Sequence, residues 1–314
     1  EYNWFMKVSG FTFIRNAVKL DYPIVESIKS ILPIVDEYIV NVVESEDGTL
    51  ELIKSIEDPK IKIIESPWLE DMRGEGKLLV HYTNLALKEC TGDWCFYLQG
   101  DEVVHEKYLE YIKCALEEYL DKKEVEGFTL KYKHFYGNFY LYHEGEGWVR
   151  NEVRIIRNGI GVSAYKAAHS FRINGRKLNC IVLDAYIYHY GWARRKSKMK
   201  EKIVEHSRWH WKEDKDVVEK FASKKLDELY VHKDSLHFFK DTHPKVMQER
   251  IVKQEADKDN FLEVKKEYLK RKLKWKIRDF FADITEKLFG KRIGEYANYH
   301  KVGEYRPYTE DFSC

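Results

Sequence analysis

Four short, almost wholly apolar runs, each followed by a polar cluster and then a helical stretch, constrain the first hundred residues most. The runs are Ser9 to Ile14, Tyr38 to Val43, Ile61 to Ile64 and Trp94 to Leu98. Continuous apolar strands of this length are those covered on both faces, as in a parallel sheet between helical layers. The helices between them are legible by spacing. Pro23 suits a first helical turn, and Ile24, Val25, Ile28, Ile31 and Leu32 share one face. A second helix runs from Thr49 to Ile56, and a third carries Leu78, Leu79, Tyr82, Leu85 and Ala86 on one side. A fourth spans His105 to Tyr119.

Strand–helix alternation with short connections implies right-handed crossovers, and ligands of such sheets sit beyond the carboxyl ends of the strands. Arg15-Asn16, Glu44 to Asp47 and Gln99 to Glu102 all follow strands. These polar clusters should therefore converge on one edge. From Glu126 the pattern changes: Phe128 to Phe135, Val149 to Ile156 and Ile181 to Tyr190 read as strands without long helices between them, so the sheet continues with mixed or antiparallel members. After Arg195 the composition shifts to Lys, Glu and Trp and reads as helical. The expected organisation is an α/β domain over residues 1–200 and a helical C-terminal extension over 201–314.

Composition removes several classes. Lys+Arg 54 against Asp+Glu 53 leaves a net charge of +1, which speaks against a nucleic-acid partner. Hydrophobic residues at 44% supply a sizeable core. No apolar run reaches the roughly 18 residues of a spanning helix, and no signal-peptide pattern is visible, although the chain starts at Glu1 rather than Met. Cys90, Cys95, Cys114, Cys180 and Cys314 are scattered, odd in number and without metal spacing, a pattern that favours a reducing cytoplasm.

A carboxylate-rich loop after a central strand suits a divalent cation on a diphosphate, because hard Mg2+ or Mn2+ takes few protein oxygens and the rest from phosphate and water. Asp101, with Glu102 beside it, can supply such a ligand. Taken alone, the pair equally well opens the following helix and complements its dipole.

The order of these elements resembles the family-2 glycosyltransferases of the GT-A fold, over residues 8 to 195. The residues that carry the resemblance are Thr12-Phe13-Ile14-Arg15-Asn16, then Val43-Glu44-Ser45-Glu46-Asp47-Gly48-Thr49-Leu50. They continue with Leu98-Gln99-Gly100-Asp101-Glu102-Val103, which stands where the family has Asp-x-Asp, with Gln99 replacing the first acid. Segments similar to Arg154-Ile155-Ile156-Arg157 and His189-Tyr190-Gly191-Trp192 occur in a subset of the family. The resemblance implies a Rossmann-like mixed sheet flanked by helices and metal-dependent, inverting transfer of a hexosyl group. The donor would be a nucleoside-diphosphate sugar, UDP-sugars first, and the acceptor a glycan, a lipid-linked group or another hydroxyl. It implies Asp101 as metal ligand with His189 as a further one, and Mn2+ or Mg2+ as cofactor. Donor contacts would come from Arg15, Glu44, Asp47, Arg73, Lys77, Asn84, Gln99, Gly100 and Asp101.

Other uses stay open at many of these positions. Asp47 before Gly48 is good turn chemistry, Arg73 and Lys77 suit a solvated loop, and His189 suits a satisfied core histidine. The general base has three candidates, Glu152, His169 and Asp184; relatives often carry an acid after the histidine, where this chain has Ser170. The aromatic stretch Tyr132 to Tyr140, with Trp148 and Trp192, suits either an acceptor platform or a strand core.

Residues 265–293 hold eleven Lys/Arg against four Asp/Glu, with Leu269, Leu273, Ile277, Phe280, Ile284 and Leu288 on a helical stripe. Such a helix packs on its own domain or a second subunit, or lies on the anionic inner face of a membrane. Two rival functions remain in view. One is an inactive sugar- or membrane-surface-binding protein, given Gln99. The other is a nucleotidyltransferase, disfavoured because Phe11 to Asn16 lacks a Gly-rich basic loop.

Overall fold

The computed structural model describes residues 6–143, 148–194, 196–210, 236–255, 273–289, 292 and 296–306. Its first half alternates β1 (Val8–Ile14), α1 (Ile24–Ile31), β2 (Glu37–Val43), α2 (Thr49–Lys54), β3 (Ile61–Ser66), α3 (Lys77–Lys88) and β4 (Trp94–Tyr97). β1 pairs in parallel with both β2 and β4, and β2 with β3. The two faces follow from strand alternation: Tyr38, Val40 and Val42 pack on the side of α1, while Ile39 and Val43 pack on the side of α3. Ile24, Ile28 and Ile31 of α1 are fully buried, each worth about 1.5–3 kcal/mol relative to exposure.

The chain goes on through β5 (Glu102–Val104), α4 (Leu109–Glu118), β6 (Gly127–Tyr136), β7 (Leu141–His143), β8 (Asn151–Arg157), β9 (Val162–Tyr165), β10 (Ser170–Ile173) and β11 (Asn179–Trp192). β8 lies antiparallel between β4 and β6, which makes the sheet mixed, as expected. β9 and β10 form a separate hairpin. β11 runs parallel to β6 and antiparallel to β5, and this register sets His189 opposite both His134 and Glu102.

The remaining described elements are α5 (Lys196–His210), β12 (Leu236–Phe238), α6 (Gln248–Glu255), α7 (Leu273–Phe289) and β13 (His300–Glu304). The boundary expected near residue 200 falls inside α5. The C-terminal part is not purely helical, since β12 pairs with β7 and β13 with β11 in the main sheet. These strands are only three and five residues long, too short to show a period in the sequence. On α7, Leu273, Ile277, Phe280 and Leu288 of the apolar stripe are exposed; Leu269 lies outside the described residues. No described helix is long and apolar enough to cross a membrane. Cys90, Cys95 and Cys180 are free and buried, whereas Cys114 is disulfide-bonded.

Candidate active site

The sheet order places β1 between β2 and β4, and the crossovers on either side of β1 use opposite faces, so a crevice opens where the two strands end. A cavity of about 550 Å3 occupies it, walled by Phe13, Ile14 and Arg15 at the end of β1 and by Gln99, Gly100 and Asp101 from the turn after β4. A Cβ on Gly100 would come 2.8 Å from Ile14 Cδ1, so a larger residue there would push the Ile14 side chain aside.

The loops after β1 and β2 are stitched together. Asn16, at φ 52°, accepts the Glu46 amide at 2.9 Å, and its own amide donates to Ser45 Oγ at 3.1 Å. Asp47 accepts the Lys19 amide on one oxygen at 2.6 Å and the Thr49 amide and hydroxyl on the other. Both its oxygens are spent on holding the loop, which gives Asp47 the turn role. Glu44 accepts the Trp68 amide at 3.1 Å and, with Asp47 and Glu65, rims a second recess of about 470 Å3. Arg15 donates to the Glu44 carbonyl at 2.9 Å, pairs with Glu205 of α5 and lies 4.2 Å over the Trp68 ring.

Asp101 and Glu102 are neighbours in sequence with different duties. Arg154 grips Glu102 with two hydrogen bonds, at 2.8 and 2.9 Å, and the Tyr132 hydroxyl donates to it at 2.8 Å. The buried Asp101 instead receives Lys202 Nζ on Oδ2 at 2.8 Å, and His189 Nε2 stands 3.7 Å from Oδ1. Lys202 also donates to the Gly191 carbonyl at 2.9 Å. Burial alone would raise the Asp101 carboxyl; Lys202, then His189 and Arg194, more than reverse this and hold it below the ordinary carboxylate range. Burial brings Lys202 down to about 8, opposed by Asp101, so it is still an ammonium at neutrality.

Two buried histidines complete this corner. His134 Nε2 lies 2.7 Å from the Val149 carbonyl, which can only accept, so the proton sits on Nε2. Burial, then the neighbouring His189, drives the His134 imidazole well below its usual range, leaving Nδ1 as an acceptor. His189 Nδ1, 2.9 Å away, is therefore the donor. Burial likewise lowers His189, against the pull of Asp101. Its Nε2 is turned toward Asp101 Oδ1. A Cβ on Gly191 would sit 2.5 Å from His189 Nε2 and 2.6 Å from Asp101 Oδ2, so a larger residue would have to displace both side chains.

The Asp101 carboxylate, the His189 ring and the Gly191 oxygen share one corner, and Lys202 Nζ donates to the first and the last of them. Gln99 offers no acid; its amide turns to the Ala168 carbonyl at 3.4 Å. Among the described residues no group of three His, Cys, Asp or Glu side chains could hold a metal ion. The expected pair, Asp101 and His189, is brought together, and Lys202 Nζ already sits on the carboxylate that a divalent ion would use.

Across the cavity lies Glu152 on β8, buried and hydrogen-bonded by Asn298 at 2.6 Å. Burial pushes its carboxyl up, against Arg154, Asn298 and Ser170. His169 reaches the rim at the end of a left-handed run, Lys166, Ala167 and Ala168 at φ 44°, 54° and 56°. Arg154 pins that turn by donating to the His169 carbonyl at 3.0 Å. Tyr132, His134, Trp148 and Trp192 reach the cavity, while Phe135, Tyr136 and Phe139 pack into aromatic core clusters.

Of the six expected site residues outside the cavity, Glu44 and Asp47 rim the second recess and four line neither. Asp184 is exposed on β11 and paired with Lys131 at 2.7 Å; strand alternation turns it away from the cavity wall. Arg73 pairs with Glu70, and the exposed Lys77 with Glu75 at 3.1 Å. Asn84 accepts the Ala164 amide at 2.8 Å, tying α3 to β9. Conversely, the sequence reading missed the roof. Met199, Lys202, Ile203 and His206 all face the cavity from α5, and their i, i+3, i+4, i+7 spacing was the available signal.

No protein-family model and no curated protein matches the sequence. Among solved structures, the chain is similar to residues 1–349 of TarS from S. aureus. Identity is 17% and TM-score 0.39, over 72% of this chain and 75% of that one. It spans 44% of the longer TarS chain. Glucosyl-3-phosphoglycerate synthase from Mycobacterium tuberculosis, in complex with Mn2+, UDP-glucose and phosphoglyceric acid, gives 19% and 0.29 over 42% of this chain and 44% of that one. At scores this low the likeness decides nothing about the site, whose reading rests on its own geometry.

Proposed function

We propose that this chain is a GT-A-type glycosyltransferase that moves a sugar from a nucleoside-diphosphate donor, a UDP-sugar first, to a hydroxyl acceptor. The observation that carries the reading is the buried Asp101 facing a cavity at the switch point of the sheet. The recess rimmed by Glu44 suits the ribose and base, and Arg15 lies between that recess and the Asp101 corner. Trp148 and Trp192 suit the sugar faces of a glycan or lipid-linked acceptor, whose C–H groups pack on aromatic rings.

In the transfer, the acceptor hydroxyl gives its proton to a base, its oxygen bonds to the anomeric carbon, and the diphosphate leaves with the electron pair of the broken bond. A base opposite the leaving group makes this a single, inverting displacement. Glu152 is favoured for that role because burial raises its carboxyl toward working pH; His169 at the rim is second. Cationic groups offset the charge that develops on the leaving diphosphate. The exposed stripe of α7 suits a second copy of the chain or an anionic lipid surface.

Calorimetry with UDP and GDP, together with UDP release from UDP-sugars, tests the reading. Glu152→Gln should lose turnover and keep nucleotide affinity. Binding of neither nucleotide, with or without Mn2+, refutes it. A second reading, an inactive binding protein, draws on the ion pairs of α5 to Asp101 and Arg15; it predicts nucleotide binding with no donor cleavage.

A further inference from the structure

We infer that Lys202 is a built-in cation for the donor's diphosphate, standing where a divalent ion would stand, so that this site binds its nucleotide without added metal. The inference rests on the nucleoside-diphosphate reading above and goes beyond it. The ammonium touches the two acceptors that a bound ion would use, Asp101 Oδ2 at 2.8 Å and the Gly191 carbonyl at 2.9 Å. His189 Nε2 stands 3.7 Å from the other oxygen of the same carboxylate. An ammonium carries three protons, and these two contacts use two of them. The third is left for a phosphate oxygen at the edge of the cavity that Lys202 lines.

Charge points the same way. Unpaired, the Asp101 carboxylate would repel an incoming diphosphate, and Lys202 cancels it. The side chain is also held on course by its surroundings. Its Nζ lies 5.1 Å from the Tyr22 ring, and the buried Arg194 guanidinium covers the same ring at 4.8 Å. Three residues further along α5, Glu205 pairs with Arg15. The helix is thus fastened at both charged positions, Lys202 and Glu205, and Trp209 packs 4.9 Å from Trp68 at its far end. Gln99 completes the pattern, since a second acid beside Asp101 would need a charge that a lysine cannot supply.

The experiment is calorimetric titration of UDP in EDTA and in Mn2+, for wild type and Lys202→Met, which keeps the buried stem. Wild-type affinity should be the same within about twofold in both buffers, a difference far below one charge-assisted hydrogen bond. Lys202→Met should weaken UDP by about tenfold or more in EDTA. Mn2+ should restore it, because Asp101, His189 Nε2 and the Gly191 oxygen are then free for the ion. Lys202→Arg should retain metal-free binding. Wild-type binding that is lost in EDTA and restored by Mn2+ overturns the inference and leaves the glycosyltransferase reading standing. No UDP binding in either buffer overturns both. The wild-type arms decide the question even if Lys202→Met does not fold.

Discussion

At the end of β2, the carboxylate of Asp47 is spent on the amides of Lys19 and Thr49; at the end of β4, that of Asp101 faces a buried ammonium. Both follow strands, both stand near a glycine, and both suit a donor contact. The difference is what surrounds them. Asp47 sits between two loops whose amides lack strand partners, and a nearby carboxylate is the cheapest way to satisfy them. Asp101 sits where β4, β11 and α5 meet, out of reach of such amides, so its charge needs a cation from a distant part of the chain. A carboxylate that satisfies backbone holds a frame, and one that requires a cation can take part in chemistry.

The largest expected effect is at Asp101. Asp101→Asn strands Lys202 as an unpaired buried charge and should cost about 3–5 kcal/mol of unfolding free energy. A strand-end carboxylate read from sequence alone would be replaceable without harm to the fold. Denaturant unfolding measures the cost, and adding Lys202→Met should recover part of it. A loss below about 1 kcal/mol, the range of exposed pairs, would erase the contrast with Asp47.

Glu37, at the amino end of β2, extends the framework class. It accepts Ser9 Oγ at 2.6 Å, Lys62 Nζ at 2.5 Å and the Thr91 amide at 2.7 Å. Burial opposes its ionisation, but the bonds from Lys62, Ser9 and Thr91 prevail and hold its pKa at about 2, below the ordinary 4.5. A depressed folded pKa contributes stability above the unfolded value and loses it as pH falls through the folded one. Glu37→Gln should therefore cost about 2 kcal/mol at pH 7, with the gap to wild type closing between pH 4.5 and 2. Urea midpoints across that range check it; a gap independent of pH would remove Glu37 from this class.

Asp47→Ala should cost about 1–2 kcal/mol, the value of a lost loop cap, and Asp47→Asn should recover part of it because the amide oxygen still accepts. Thermal unfolding tests both, and an unchanged melting temperature for Asp47→Ala would break the framework assignment. The smallest effect belongs to Asp184→Asn. Its exposed pair with Lys131 predicts a change within about 0.5 kcal/mol and unaltered donor turnover. Lost turnover there would return Asp184 to the candidate bases.

Three of the strands read in the sequence are buried on both faces, where a doubly covered strand needs an apolar residue at nearly every position. β1, β2 and β4 are apolar nearly throughout for that reason. β3 was read from its isoleucines, although only Ser66 in it is buried. β5, β7 and β12, at three residues each, carry no period, and what makes them strands is a neighbour already in place. The same limit applied to the site. Asp101, Gln99 and Arg15 were visible because strand ends mark the edge of a parallel sheet. Asp184 was misplaced because an acid within a strand does not announce which face it occupies.

The sequence by itself determined the covered parallel sheet, its helical layers and the edge where polar groups gather, since these depend on local period and order. Only the tertiary structure decided which charge meets which. Lys202 lies in a lysine-rich stretch that reads as solvated surface, 101 residues from Asp101 in the chain. Its role exists only once β11 lies beside β6 and α5 folds back over the crevice. Long-range pairing of buried charges is set by packing, and one-dimensional spacing holds no record of it.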